Sequence, residues 1–260
     1  MNKKKKAIYT SIIGSYDDIL QPKAVDESFD YVLFVKKGTK KTERIGIWEV
    51  RELDYDCDDN TITSRFPKMN PHVVLPEYEY SLWIDGNIVI LKKEFYDAVN
   101  AKIDEGVVYS GVKHPNKDCV YHDIEACVHA MRDKTSNIMR AARFLIAEKF
   151  PEHYGMYENN IILRKHTDAS VINFCNMWWK LYLEYPRRDQ FTSPYCLRAN
   201  GLEFNYLLPE GECAKTSDWF EFIEHKVAQK PALCRWYDFF ACRVRTYYVI
   251  AYLKRHGIKR

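Results

Sequence analysis

The sequence predicts an α/β domain built on a mostly parallel or mixed sheet with flanking helices. Three observations carry this expectation. Short apolar runs bounded by turn residues alternate with longer amphipathic segments along most of the chain. Polar clusters fall where the apolar runs stop, which is the edge at which sheets of this class bind ligands. With 260 residues, 47% hydrophobic and 15% aromatic, the chain can also bury a sizeable core.

The first strand spans residues 7–13 and stops at Gly14, Ser15, Tyr16 and Asp17. A strand followed by a donor-rich turn near the N-terminus is where α/β domains place a nucleotide, although the G-x-G-x-x-G dinucleotide fingerprint is absent. Residues 29–35 and 48–53 form the next strands, separated by a charged loop over 36–44. Ser64 offers an N-cap for a short helix that stops at Pro71. Arg65 and Lys68, three apart, share its face. Two such cations could hold diphosphate oxygens, the arginine in bidentate fashion. The plain alternative is a solvated cationic face.

The central run is residues 80–90, where apolar residues enter Asp85-Gly86-Asn87 and apolar residues leave it. On extended backbone Asp85 and Asn87 would point the same way, and Gly86 would let a ligand approach. Hard oxygen donors at a strand end suit Mg²⁺ or Mn²⁺ carrying a diphosphate. The competing reading is an Asp-Gly turn with no ligand.

Downstream, residues 92–103, 118–133 and 137–150 read as helices. Residues 107–112 read as a strand leading to His114, and 155–163 carry Glu158, Asn159 and Asn160 into a strand over 161–163. Thr167 caps a helix whose Val171, Phe174, Cys175, Trp178, Leu181, Tyr182 and Tyr185 recur at helical spacing, a core stripe. Arg187, Arg188, Asp189 and Gln190 follow as a polar cluster. After Pro231, a last helix over 236–254 gathers Trp236, Phe240, Val244, Tyr247 and Ala251 on one side, with Arg243 intruding. That side could dock on the domain, a membrane interface or a second copy. The organisation expected is one domain over 1–230 and a helical extension over 231–260.

The net charge of +3 is unevenly placed. Residues 3–6 are four lysines, and residues 235–260 hold seven basic residues and one acid. The remainder, 7–234, has 28 basic and 35 acidic residues. An acidic body with basic ends argues against a nucleic-acid groove on the main fold. Basic ends suit an anionic membrane surface, or, for residues 3–6, simply solubility. None of the eight cysteines forms a C-x-x-C pair, so a zinc knuckle is not expected. No secretion signal is evident, and no run is long and apolar enough to span a bilayer. The expected setting is the reducing cytoplasm, at most peripheral at the inner membrane face.

Several of these motifs resemble, in matching order, those of one family. They are Thr10-Ser11-Ile12-Ile13-Gly14-Ser15-Tyr16-Asp17, Arg65-x-x-Lys68-x-x-Pro71-His72 and Tyr80-Ser81-x-Trp83-Ile84-Asp85-Gly86-Asn87. His114-Pro115, Tyr121, Glu125, Glu158 and Arg187-Arg188-Asp189-Gln190 follow. The family is a glycosyltransferase-like domain once described only as a domain of unknown function. It occurs in plant Golgi proteins of pectin and mucilage synthesis and in bacterial surface-polysaccharide gene clusters. The resemblance covers roughly residues 7–200 and rests on separated motifs.

The resemblance implies a GT-A type, Rossmann-like mixed sheet, a nucleotide-sugar donor that is UDP-linked, a glycan or lipid-linked glycan acceptor, and Mn²⁺ or Mg²⁺. Asp85-Gly86-Asn87 would be a variant of the Asp-x-Asp metal motif, with a neutral amide as the second ligand, and His225 the C-terminal metal ligand. Gly14, Ser15, Tyr16, Asp17, Arg65, Lys68 and Asp85 would hold the donor, and His114 and Glu125 the acceptor. Asp189 is the first candidate base, with Glu125 and Glu158 behind it. Asp189-Gln190 is also similar to the Asp-Gln pair of retaining galactosyltransferases, which favours retention with Gln190 beneath the anomeric carbon. A local ion-pair cluster is the plain alternative for Arg187-Arg188-Asp189. The function expected is a metal-dependent glycosyltransferase building a bacterial surface glycan. The alternative is a non-catalytic nucleotide- or glycan-binding partner in a synthesis complex, which Asn87 favours. A nucleotidyltransferase ranks lower, because no Gly-rich basic loop for a triphosphate follows the first strand.

Overall fold

The computed structural model describes residues 5–14, 18–185, 188–224 and 232–259, with backbone only for 232–239. Its central sheet has seven strands in the order β3-β4-β2-β1-β5-β8-β7. These are β1 (Lys6–Ser11), β2 (Asp30–Val35), β3 (Arg44–Ile45), β4 (Trp48–Glu52), β5 (Tyr80–Ile84), β7 (Tyr109–Lys113) and β8 (Tyr157–Arg164). β1 runs parallel to β2 and β5, and β2 parallel to β4. β8 is antiparallel to both β5 and β7, and β3 to β4. The sheet is therefore mixed. A second, two-stranded sheet pairs β6 (Ile88–Ile90) with β9 (Phe220–Phe222).

The middle strands are mostly apolar because both faces are covered. Ala7, Ile8 and Tyr9 are wholly buried, and all five residues of β5 are buried. One face sends Ile8, Leu33, Leu82 and Ile84 into a core with Phe95, Val99 and Ile103 of α3 (Glu94–Asp104). The other sends Tyr9, Val32, Phe34 and Trp83 against Val171, Phe174 and Trp178 of α6 (Ala169–Glu184) and Leu197 of α7 (Asp189–Ala199). α4 (Val120–His129), α5 (Thr135–Ala147) and α8 (Ala232–Arg255) share a third cluster. Among the described residues, no helix is long and apolar enough to cross a membrane.

Several local expectations are corrected. α1 (Asn60–Met69) begins a turn earlier than Ser64 implies: Asp59 caps it, its carboxylate accepting from the Thr61 and Ile62 amides, and a short α2 (Pro71–Val74) follows. Asp168, not Thr167, caps α6. An aspartate carboxylate reaches the second and third amides of a helix at least as well as a hydroxyl does, so the acid wins both caps. Asp189 opens a helix where only a polar cluster was read. In α8 the packed face is Cys242, Val249 and Leu253, whereas Phe240, Val244 and Tyr247 are 61, 71 and 78% exposed. An aromatic helix carries two apolar stripes, and periodicity alone does not say which one meets the domain.

The register fixes the edge that matters. Ile84 pairs with Ile161, so the first residues of β8 project past the end of β5. There the Asp85 amide donates to the Asn160 carbonyl at 2.8 Å. Behind this edge Arg164 is fully buried, donating to the Tyr9 hydroxyl at 2.6 Å, and Tyr9 donates in turn to the Pro67 carbonyl of α1 at 3.2 Å. Tyr9→Phe would strand the Arg164 donor. It should cost about 1–3 kcal/mol, read as a lower urea midpoint at unchanged slope.

Candidate active site

The carboxyl edge of β1, β5 and β7 gathers residues from four parts of the chain. Lys68 of α1 is 1% exposed, and its Nζ bridges Asp85 at 3.3 Å and Asp189 at 2.7 Å. The Trp83 indole N–H donates to the same Asp85 oxygen at 2.7 Å. Burial alone would raise the Asp189 carboxyl, but Lys68, Arg65 and Arg188 hold it below the usual carboxylate range. The Trp178 indole donates to the Asp189 carbonyl at 2.9 Å and fixes the start of α7.

Asp85-Gly86-Asn87 is a turn, with the Ile88 amide returning to the Asp85 carbonyl at 3.1 Å. The extended-backbone argument for Asp85 and Asn87 therefore fails. Asn87 is buried and its amide nitrogen donates to the Ile223 carbonyl at 3.0 Å. A Cβ on Gly86 would lie 3.3 Å from Ile12 and 3.6 Å from Thr10, so this turn sits closely against the end of β1. Gly14, the next loop residue described there, has φ +76 and packs by Asn60 of α1. Ser15, Tyr16, Asp17, Arg187 and His225 lie outside the described residues.

Glu158 is on the same edge, at the start of β8. Burial pushes its carboxyl above the usual range, Asp85 adds to the effect, and an Asn160 N–H at 3.0 Å with the Ala214 amide and Lys215 opposes it. Gln190 ties α7 to β8: its Nε2 donates to the Glu158 carbonyl at 3.1 Å and its Oε1 accepts from Arg188 at 3.0 Å. Asn159 holds a left-handed φ of 59 while fully buried. Asparagine tolerates that conformation, but it is a strained place for a strand residue.

The third group lies beyond β7. Burial lowers the His114 imidazole below its usual range, with Lys117 and Arg188 reinforcing the effect against Asp123. His114 Nδ1 accepts the Asn116 amide at 3.3 Å, which leaves its proton on Nε2 as a donor. Lys117 pairs with buried Asp123 at 2.6 Å. Glu125, two residues along α4, lies on a different face of the helix from Asp123.

Several buried polar atoms without partners lie on the strands and helix that form this edge: Thr10 Oγ1, Ser11 Oγ, Asn159 Oδ1, Asn160 Oδ1, Arg188 Nε and Thr192 Oγ1. Such atoms are rare in a finished interior and mark where a ligand or water belongs. Sequence reading named Asn160 and Arg188 without giving either a role, and passed over Asp123. The consecutive Asn159 and Asn160, ahead of the apolar run 161–163, were the available signal for the edge.

A mixed α/β sheet whose carboxyl edge collects carboxylates, cations and unpartnered polar atoms is laid out to bind a ligand. A family model for the TOD1/MUCI70, glycosyltransferase-like domain matches residues 1–205, and the chain belongs to that family. It is 22% identical over 210 residues to the "Probable hexosyltransferase MUCI70" of Arabidopsis thaliana, covering 71% of this chain and 36% of that protein. The chain thus spans about a third of the curated relative's length. Among solved structures, the apo form of WbbM, a bifunctional glycosyltransferase, aligns at TM-score 0.42 and 12% identity, over 94% of this chain and 45% of that one. Mouse xyloside xylosyltransferase 1 aligns at 0.39 and 8%, over 78% and 84%. At these scores the likeness is loose.

Proposed function

We propose that the domain moves a sugar from a nucleoside-diphosphate donor, UDP-linked, to a growing bacterial surface glycan of capsule or O-antigen type. The observation that supports it most is the buried Lys68 ammonium held between Asp85 and Asp189, beside the end of β1 and its orphaned hydroxyls. Family membership supports glycosyl transfer, and the acceptor class rests on the kinds of gene cluster in which the family occurs.

A divalent cation fits this edge only together with substrate. One Asp85 oxygen is committed to Trp83 and Lys68, which leaves its other oxygen as the protein's ligand. Mg²⁺ and Mn²⁺ are commonly held by one or two protein oxygens plus substrate phosphates. When bound, the ion would neutralise charge developing on the departing diphosphate. The protein's own share is to set Lys68 and Arg65 near those oxygens and to exclude water. His114 Nε2–H would orient an acceptor hydroxyl. Glu158 would take the hydroxyl proton, because its affinity for a proton is raised whereas that of Asp189 is depressed. That assignment favours inversion over the retention suggested by the Asp-Gln pair, and the product anomer, read by NMR, decides between them.

The test is incubation with a panel of nucleotide sugars and Mn²⁺, with and without glycan acceptors. Release of nucleoside diphosphate with at least one donor is expected. No release and no nucleotide binding with any donor or metal would overturn the proposal. The amide at Asn87 and the neutralised Asp85 favour a second reading, a non-catalytic nucleotide-binding partner, which predicts saturable binding without turnover.

The setting proposed is the cytoplasm, at the inner membrane face. Phe240, Val244, Tyr247 and Tyr248 make an exposed aromatic stripe on α8, flanked by Arg243, Arg245, Lys254 and Arg255. Each basic residue near an anionic surface contributes about 1 kcal/mol. Vesicles containing anionic lipid should retain the protein, less so as salt rises. Val244→Asp with Tyr247→Ser should release it, while both positions are exposed enough to spare the fold. Unchanged sedimentation of that variant would remove membrane contact from the proposal.

A further inference from the structure

A second group of metal-type ligands stands apart from the Asp85 carboxylates. Cys119 is the N-cap residue of α4 and wholly buried, and His122 follows three positions later, on the same face of the first turn. His153 reaches them from the connection between α5 and β8. One ligand atom from each residue lies within 4.8 Å of the other two. We infer that Cys119, His122 and His153 bind a zinc ion.

Four observations carry this. First, the ligand chemistry is one thiolate and two imidazoles, which selects zinc over the hard cations suited to carboxylate sites. Second, His122 Nε2 is buried and has no hydrogen-bond partner, an orphan that a metal would satisfy. Third, the Asp118 carboxylate meets His153 Nδ1, both oxygens at 2.9 Å. A carboxylate on one imidazole nitrogen fixes the tautomer and turns the other nitrogen toward a metal, which is how histidine ligands are commonly oriented. Fourth, His153 holds φ +54, a left-handed conformation that a non-glycine residue adopts at a cost. The turn around it is clamped by the Gly155 amide on the Asp118 carbonyl at 2.8 Å and the His114 amide on the Met156 carbonyl at 2.9 Å.

The spacing is close to that required. Tetrahedral zinc with bonds of about 2.0–2.3 Å sets its ligand atoms about 3.3–3.6 Å apart. The atoms here must draw in by an ångström or so. His153, with its side chain 54% exposed, has the freedom to do it. Three protein ligands leave a fourth position for water. The ion would tie the segment carrying His114 and Lys117 to the one that leads into Glu158, and would brace both without touching the chemistry. Without metal, the two histidine rings stack edge to face at 5.3 Å, which is the competing explanation of their approach.

The test uses the full chain, stripped with chelator under reducing conditions and titrated with Co²⁺ and then Zn²⁺. One equivalent of Co²⁺ should bind with a thiolate-to-cobalt charge-transfer band and the intense visible bands of tetrahedral cobalt, and Zn²⁺ should bleach both. Zn²⁺ should also raise the melting temperature. Cys119→Ser should abolish the charge-transfer band, and Cys57→Ser, at a half-buried free thiol, should leave it intact. His153→Gln, at an exposed position that does not endanger folding, should weaken binding, and Asp118→Asn should weaken it by about 10–100-fold. No stoichiometric binding at micromolar zinc would overturn the inference. So would a charge-transfer band that survives Cys119→Ser, or affinity unchanged by His153→Gln.

Discussion

Lys68→Met should destabilise the domain by about 3 kcal/mol and abolish donor binding. The methionine keeps the length of the stem but removes the ammonium that Asp85 and Asp189 share at 3.3 and 2.7 Å. Breaking a buried charge pair by deleting one partner costs about 3–5 kcal/mol, because the other charge is left uncompensated. Asp85 is 27% and Asp189 15% exposed, so some water relieves them and the lower figure applies. The sign with pH follows from Asp189. Its carboxyl is depressed in the folded protein, so it contributes stability above its unfolded value and loses it as pH falls through the folded one. The variant should be weakest against wild type near neutrality, and the gap should close below about pH 4, where aspartates protonate. Urea melts at several pH values measure it. Lys68→Met with Asp189→Asn should recover part of the loss, a coupling of about 0.5–3 kcal/mol. A constant difference across pH would mean that Lys68 acts through packing alone. Isothermal titration with nucleoside diphosphate and Mn²⁺ reads the second effect.

That triad also marks how far the sequence could be read. β1, β2 and β5 were legible because a strand buried on both faces is written as a mainly apolar run, and Asp85 was legible because it follows one. The pairing of Lys68 with Asp189 crosses 121 positions and leaves no local pattern. The start of α7 was hidden because Arg188, Asp189 and Gln190 are polar and Pro194 breaks the helical composition, while its N-terminus is held by Trp178 and Glu158 from other elements. β9 is three residues long and exists only because β6 offers it an edge. Which side of α8 meets the domain was left open for a related reason: the larger aromatic side chains dominate its periodicity, but the smaller Cys242, Val249 and Leu253 fit against the domain. The difference between Glu158 and Asp189 as proton acceptors depends on burial and neighbouring charge, neither of which is a property of the carboxylate itself.

Glu158→Gln should lower glycosyl transfer by about 10²–10⁴-fold while nucleoside diphosphate binds as before. The amide keeps the shape of the carboxyl, and its Oε1 can still accept from Asn160, so the edge of β8 should hold. What it loses is the ability to take a proton. Burial raises the Glu158 carboxyl in the folded protein, so wild-type transfer should rise with pH through that elevated value, and the variant's residual rate should lose this limb. Stability changes with pH in the opposite direction. For an acid whose folded value is raised, the contribution to stability is complete below the unfolded value and falls away as pH climbs through the folded one. Glu158→Gln never ionises, so it should melt higher than wild type at neutral pH and match it in acid. An inactive variant that is more stable than its parent is the pattern of a group kept at a cost for its chemistry. If the variant instead melts lower at neutral pH and binds nucleotide poorly, Glu158 holds β8 in place, and the proton acceptor must be sought elsewhere on the same edge.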